Sequence, residues 1–327
     1  MTRLLRTDEG FRDTGKVSNY TLDLAFGDDE NDFELTVPPG ISLKRNTLVY
    51  VPETEWGGLI REESVIRDQK TGLSWRTYKG PTWHGLLDQR VMRPSTDESH
   101  VILSGDVNSI IAQVISQTGL TDIFSAVSEP FGKKVTWQFD RYCTVYEGLR
   151  KMLRNNGFRL DIRRGGSGKT VLSAKEAHDL IEERGSKIGY SFESLSPTNH
   201  LVCIGVGEME ERTIVDLFAD AQGVVSESQT IFGLDEIQER YEFTTADRQQ
   251  LLKSGTERLQ DRQVFIKADL ALPEGGSYVI DDIVGVADSK LGKEFSARIS
   301  KVIVKCSHKG KASVSFDFSD IEVKEGR

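Results

Sequence analysis

The densest set of residues able to handle a phosphate is Gly165, Gly166, Ser167, Gly168, Lys169 and Thr170. This is the second half of a P-loop, in which backbone amides cradle phosphates and a lysine reaches the outermost one. The first glycine of the full motif would fall at position 163, which is Arg163. The run also lies between two strand-like stretches, whereas a phosphate cradle opens directly onto a helix N-terminus. An exposed hairpin turn carrying Lys169 and Thr170 is therefore expected. Ser167 is not a nucleophile elbow either, since Lys169 stands where that motif needs glycine.

The remaining reactive residues are similarly incomplete. Asp28, Asp29, Glu30 and Asp32 offer oxygens for calcium but lack the central glycine of a binding loop, and they read as a solvated hairpin tip. Asp281 and Asp282 are adjacent; on a strand they point to opposite faces and cannot share acid–base work. Cys143, Cys203 and Cys306 lie at least 60 residues apart, without the short paired spacings of a zinc site, and read as reduced, mostly buried thiols. Cys143 could meet His178 or His200 in space, yet nothing local activates it. Trp56, Trp75, Trp83 and Trp137 fall in or beside strands and read as core rather than as a sugar-binding platform. No catalytic, cofactor-binding or metal-binding residue is assigned, and the chain is expected not to be an enzyme.

The elements around these residues follow from periodicity. Tyr20, Leu22, Leu24 and Phe26 alternate with polar or small residues, and Phe33, Leu35 and Val37 alternate again after the turn at 27–31. Further strands are expected at 47–51, 57–68, 73–80 and 82–91. Val107, Ile110, Ile111, Val114 and Ile115 form one helical stripe ending near Gly119. Thr144 to Glu147 fits a capping box opening a second helix, with Val145, Leu149, Met152 and Leu153 inward and a stop at Asn155-Asn156-Gly157. A hairpin follows. Strand texture returns from Ile188, interrupted by a helix over 244–262 with Thr244 as its N-cap, and four strands close the chain. The plan is β, then α/β at about 101–185, then β.

Composition limits the partners. At 327 residues, the chain is long enough for two or three domains. A net charge of −9 argues against non-specific binding to nucleic acid or anionic membrane. No apolar run approaches the roughly 20 residues that span a bilayer. The opening MTRLLRTDEGFRDTG lacks the apolar stretch of a signal peptide, so a product made in the cytoplasm is expected.

The stretches LAFGDDENDFELTVP (24–38), TLVYVPETEWGGLI (47–60) and YKGPTWHGLLDQRV (78–91), in that order, resemble the opening of siphophage tail-hub proteins, the prophage tail-associated family. YEGLRKMLRNNGFRLDIRR (146–164) resembles their inserted domain, and GSYVIDDIVGVAD (276–288) their iGDiV strand pair. The family is related to the baseplate hubs of contractile tails and of type VI spikes. The resemblance implies a mainly β (α+β) fold: two tube-like β-barrel domains, 1–100 and 186–327, flanking the α/β insert at 101–185. It implies a homotrimeric ring, a symmetry adaptor between a hexameric tail tube and a trimeric spike or fibre. The implied neighbours are a distal tail or tail-tube protein, the tape-measure protein and the central spike or fibre. DNA would only pass through the channel, whose surface is then expected to be acidic or neutral. No cofactor and no membrane binding are implied, and the chain would reside in a virion tail or tail-like particle. Relatives that cleave peptidoglycan carry that activity in a C-terminal extension, for which a chain ending at 327 has no room. A peptidoglycan-cleaving tail enzyme and an unrelated cytosolic ligand-binding protein remain open alternatives, as does siphophage, contractile-tail or tail-like bacteriocin origin.

Overall fold

A computed structural model describes residues 2–67, 69–70, 72, 74–165, 168–182, 188–263, 266–273 and 278–325. Gly166 and Ser167 of the hairpin loop, Val264 and Phe265 of the expected strand, and Gly276 and Ser277 of the iGDiV stretch lie outside them.

Two short strands open the chain, β1 (Leu5–Thr7) and β2 (Asp13–Lys16), paired antiparallel. Neither has enough alternating apolar residues to be read from sequence. The alternating stretches become β3 (Thr21–Gly27) and β4 (Asp32–Val37), with Leu22, Leu24, Phe26, Phe33, Leu35 and Val37 buried. β5 (Leu48–Tyr50), β6 (Gly57–Leu59), β7 (Glu62–Arg67) and β8 (Ser74–Pro81) follow.

The strand expected at 82–91 is a helix, α1 (Trp83–Asp88). Thr82 caps it by accepting from the Gly85 amide, and Trp83 to Leu87 are all buried, so the stretch has no wet face to alternate with. Gly85 lets the helix rest on backbone, because a Cβ there would sit 2.1 Å from the Asn31 carbonyl oxygen.

β9 (Ile102–Asp106), α2 (Val107–Gln117), β10 (Phe124–Ala126), β11 (Lys134–Gln138), α3 (Val145–Arg154), β12 (Phe158–Arg163), β13 (Thr170–Glu176) and β14 (Asp179–Glu182) come next. The capping box of α3 is present in both directions, Thr144 with Glu147. β12 and β13 pair antiparallel as the expected hairpin. Lys169 is exposed, but Thr170 is fully buried, which corrects the expectation that both sit in solvent. The α2 stripe and the buried face of α3 share one core with Leu48, Tyr50, Trp83, Leu86 and Leu87. The α/β insert thus packs on its own strands and also shares its core with the N-terminal elements. Ile111 is at 0% exposure in that core. Ile111→Asp would bury an unpaired carboxylate at a cost of roughly 4 kcal/mol or more, and loss of the cooperative thermal transition is the expected readout.

A second unit, Gly189–Ala271, is separate from the first, which comprises Met1–Ile188 and Leu272–Arg327. Its strands are β15 (Gly189–Ser194), β16 (His200–Ile204), β17 (Ile214–Ala219), β18 (Val225–Ser226) and β19 (Gln238–Glu242), followed by α4 (Arg248–Asp261) and β20 (Ile266–Ala271). β18, β17, β16 and β19 form one sheet, and β15 pairs with β20. The helix starts later than 244. Its N-cap is Asp247, in a capping box with Gln250, whereas Thr244 lies upstream in the turn that follows β19. Gly255 lets α4 settle on Cys203 and Leu217, either of which a Cβ would meet at 2.7 Å.

The C-terminal strands β21 (Ile283–Asp288), β22 (Lys293–Ser307) and β23 (Ser313–Glu325) return to the first unit. β22 changes neighbour midway: 293–298 pair with β21, and 301–307 pair with β3. Register shifts at Ser296/Arg298 and Ile299/Lys301 mark the bend, as bulges do. The result is one sheet in the order β14-β21-β22-β3-β4-β8-β7, with β23 along the other side of β22. The expected division into 1–100 and 186–327 therefore differs from the fold. Residues 189–271 stand alone, residues 272–327 complete the N-terminal sheet, and no closed barrel occurs among the described residues. β14 and β21 are parallel neighbours, which need a long crossover, and the whole second unit serves as that connection.

Candidate functional site

The residues with the greatest chemical potential gather in the first unit, where α3 and β12 meet the corner preceding β21. The corner is Asp281-Asp282. Asp281 is left-handed, φ 70°, and occupies the glycine position of the iGDiV pattern. Both carboxylates are buried, at 1% and 0% exposure. They face different partners, as expected, although the pair lies in a turn and not on the strand whose alternation was the reason given.

Asp281 accepts from Arg150 Nε at 3.1 Å and Nη2 at 2.7 Å, a bidentate pair. Arg150 also donates to Asp28 Oδ1 and stacks over the Tyr146 ring at 5.1 Å. Around this pair, Arg154 and Arg298 both donate to Asp320 Oδ2, and Arg298 donates to the Asp281 carbonyl. Burial works against the charge on Arg150, but the anionic neighbours outweigh it and its pKa is raised. Nearby, His84 is stacked on Phe26 at 4.3 Å, and burial, then Arg150, lowers its pKa to about 3, so it is neutral.

Asp282 Oδ1 accepts from the His178 amide at 3.0 Å and lies 3.5 Å from Arg159 Nε and 3.4 Å from His178 Nδ1. Arg159 leads along β12 to buried Asp161, which also binds Arg163. Next to it, Glu55 accepts from the Ile162 amide at 3.2 Å; burial, then repulsion from Asp161, pushes its pKa up to about 7.

Asp281 is thus committed to Arg150, whereas Asp282 is held by the His178 amide with Arg159 only in ion-pair range, and its buried Oδ2 has no hydrogen-bond partner among the described residues. The geometry supports fastening: Arg150 ties the insert's helix, and the His178 amide with the charge of Arg159 ties its hairpin, to the corner before β21. Asp28, from the acidic turn, belongs to this network; Glu30 pairs with Lys301. Among the described residues no three His, Cys, Asp or Glu side chains group as a metal site would require. Cys143 is half-buried with its thiol pKa raised by burial, then Asp140, then Glu147, while His178 is engaged by Asp282. His200 lies in the second unit between two carboxylates. Trp83 is fully buried, Trp56 and Trp137 half-buried, and Trp75 is 45% exposed, so the tryptophans form no common face.

Sequence reasoning missed Arg150, Arg159, Asp161 and Glu55. Arg150 had a signal: it sits four residues after Tyr146, on the side of α3 that the apolar residues bury.

No protein-family model and no curated protein matches the sequence. Solved structures are similar to it. The 43 kDa tail protein of prophage MuSo2 from Shewanella oneidensis shares 12% identity at a TM-score of 0.48, over 98% of this chain and 97% of its own. A prophage tail protein from Listeria monocytogenes shares 11% identity at 0.47, over 98% and 94%. A chain of the phage P2 baseplate shares 11% identity at 0.40, over 100% and 99%.

Proposed function

We propose that this chain is a structural hub of a phage tail or tail-like particle, three copies of which close into a ring that adapts the tail tube to a spike or fibre. The observation that carries the reading is the sheet. The N-terminal strands that resemble the family's opening and the 276–288 stretch that resembles its iGDiV pair join one sheet through β22, which pairs with both β3 and β21. β21 and β3 lie on one side of β22 and β23 on the other, so among the described residues the sheet has free edges at β23, β7 and β14. Unlike free edges allow copies to join head to tail, and a head-to-tail interface closes into a ring when its rotation allows. β7 is well suited to such joining. All six residues are exposed and none is proline; Val65 and Ile66, at 60% and 62%, form an apolar pair between the charged Glu62, Glu63 and Arg67.

The solvent face of the same sheet supports passage of a polyanion. One row across four pairings reads Lys305, Asp23, Glu34, Lys79, Glu62. Lys305 pairs with Asp23 and Lys79 with Glu34, so the lysines are neutralised by carboxylates rather than offered to phosphates. In the hub reading this face lines the channel.

The test is imaging of the purified protein with its mass in solution. Three copies in a ring with a central opening are expected. The double variant Val65→Lys, Ile66→Lys changes exposed side chains only, so it should remain folded, by thermal melting, and monomeric. A wild-type chain that stays monomeric at high concentration, or rings unaffected by the β7 variant, would count against edge-to-edge closure. Activity on purified cell walls would return the enzymatic alternative.

A further inference from the structure

We propose that residues 229–237 of the second unit form a proton-gated strap, fastened to the sheet by His200 in its charged form and loosened when that ring loses a proton. His200 opens β16 and is 9% exposed. Its Nδ1 lies 2.6 Å from Glu236 Oε1, on the strap, and its Nε2 lies 2.9 Å from Asp216 Oδ1, on β17. An ionised carboxylate only accepts, so satisfying both contacts requires a donor on each ring nitrogen, which is the imidazolium. A neutral ring has one N–H, and its other nitrogen then presents a lone pair to a carboxylate.

The groups facing the ring are few. β17 contributes Asp216 and Phe218, whose ring packs on the imidazole at 4.3 Å. The strap contributes Glu236. β19 contributes the uncharged Gln238, which donates to Glu236 at 3.0 Å. Bonds from Gln238 and then His200 hold the Glu236 carboxyl below the usual range, so it stays ionised across the relevant pH. Helix α4 covers Leu201 and Cys203, on the other side of β16. Neighbouring Asn199 holds the strap independently of pH. It donates to the Asp235 carbonyl at 2.7 Å and accepts from the Ile237 amide at 2.9 Å. One end of the strap is thus fixed by an amide and switched by the adjacent imidazole. Between lie Phe232 and Leu234, 64% and 104% exposed, whose presentation the strap controls.

Hydrogen exchange on the full chain tests this, compared between an acidic and an alkaline pH. Protection of 230–237 is taken relative to β16 and β17, which removes the intrinsic pH dependence of exchange. Wild type should lose about tenfold in relative protection on going to the higher pH, the scale of one charge-assisted hydrogen bond. His200→Gln should show the lower protection at both pH values. Glu236→Gln, a milder change at the surface, should likewise abolish the pH dependence and covers the case in which His200→Gln fails to fold. Relative protection in wild type that does not change with pH overturns the proposal. So does a pH-dependent loss that persists in either variant.

Discussion

Replacing Arg150 by methionine is expected to cost the first unit about 3 to 5 kcal/mol, the usual range when one partner of a buried ion pair is removed. Methionine keeps the apolar stem and its packing near Tyr146 while deleting the guanidinium. Asp281 would remain at 1% exposure, its carboxylate left with Arg154 Nε at 3.6 Å as its nearest ion-pair partner among the described residues. The measurement is the urea midpoint of wild type, Arg150→Met, and Arg150→Met with Asp281→Gly. The double variant removes the stranded carboxylate and places glycine at a position with φ 70°, where a side chain is strained. It should recover most of the loss. A double variant no more stable than Arg150→Met would show that the cost lies in packing around α3 and not in the buried charge. The comparison also bears on how the insert is held, since Arg150 fastens α3 to the corner that leads into β21.

What the sequence made legible was local. The alternation in β3 and β4, the stripe of α2 and the capping box of α3 are patterns within a dozen residues, and the structure places each where its period put it. The 82–91 stretch was misread because a short, wholly buried segment has neither helical nor strand periodicity, and the Thr82 cap is a weak signal alone. The boundaries of the units were hidden for a different reason. Strand partners hundreds of residues apart, such as Leu24 and Val304, leave no trace in either segment; each reads only as a strand with one buried face. Hence the C-terminal strands looked like the continuation of 189–271 when they complete the N-terminal sheet. The ionic fastening was obscured in the same way. Asp281-Asp282 was correctly read as two carboxylates facing apart, but their arginines come from α3 and β12, more than a hundred residues earlier.

Glu55→Gln is expected to stabilise the first unit above neutral pH and to leave it unchanged in acid. Glu55 is 7% exposed, beside the equally buried Asp161, and its pKa is raised from 4.5 to about 7 by burial and then by that neighbour, against the smaller opposing effects of the Ile162 amide, Arg159 and Arg163. The folded chain holds this proton more tightly than the unfolded chain does. The resulting stabilisation is fully present below pH 4.5, declines as the pH rises toward 7, and is absent above it. At about 1.4 kcal/mol for each pH unit crossed, the full effect is about 3 kcal/mol. Glutamine is neutral throughout, its carbonyl can accept from the Ile162 amide, and its amide can donate toward Asp161. The urea stability of the variant minus that of wild type should therefore be near zero at about pH 4.5, rise between there and about pH 7, and level off near 3 kcal/mol by about pH 8. Titration of other groups is common to both proteins and cancels in the difference. A flat difference would mean that Glu55 ionises without penalty and that Asp161 is not repelling it. A difference of the opposite slope would mean that the carboxylate form is the favoured one, held by Arg159 and Arg163. A buried acid titrating near neutrality makes the fastening of β12 to the loop at 51–56 sensitive to the medium.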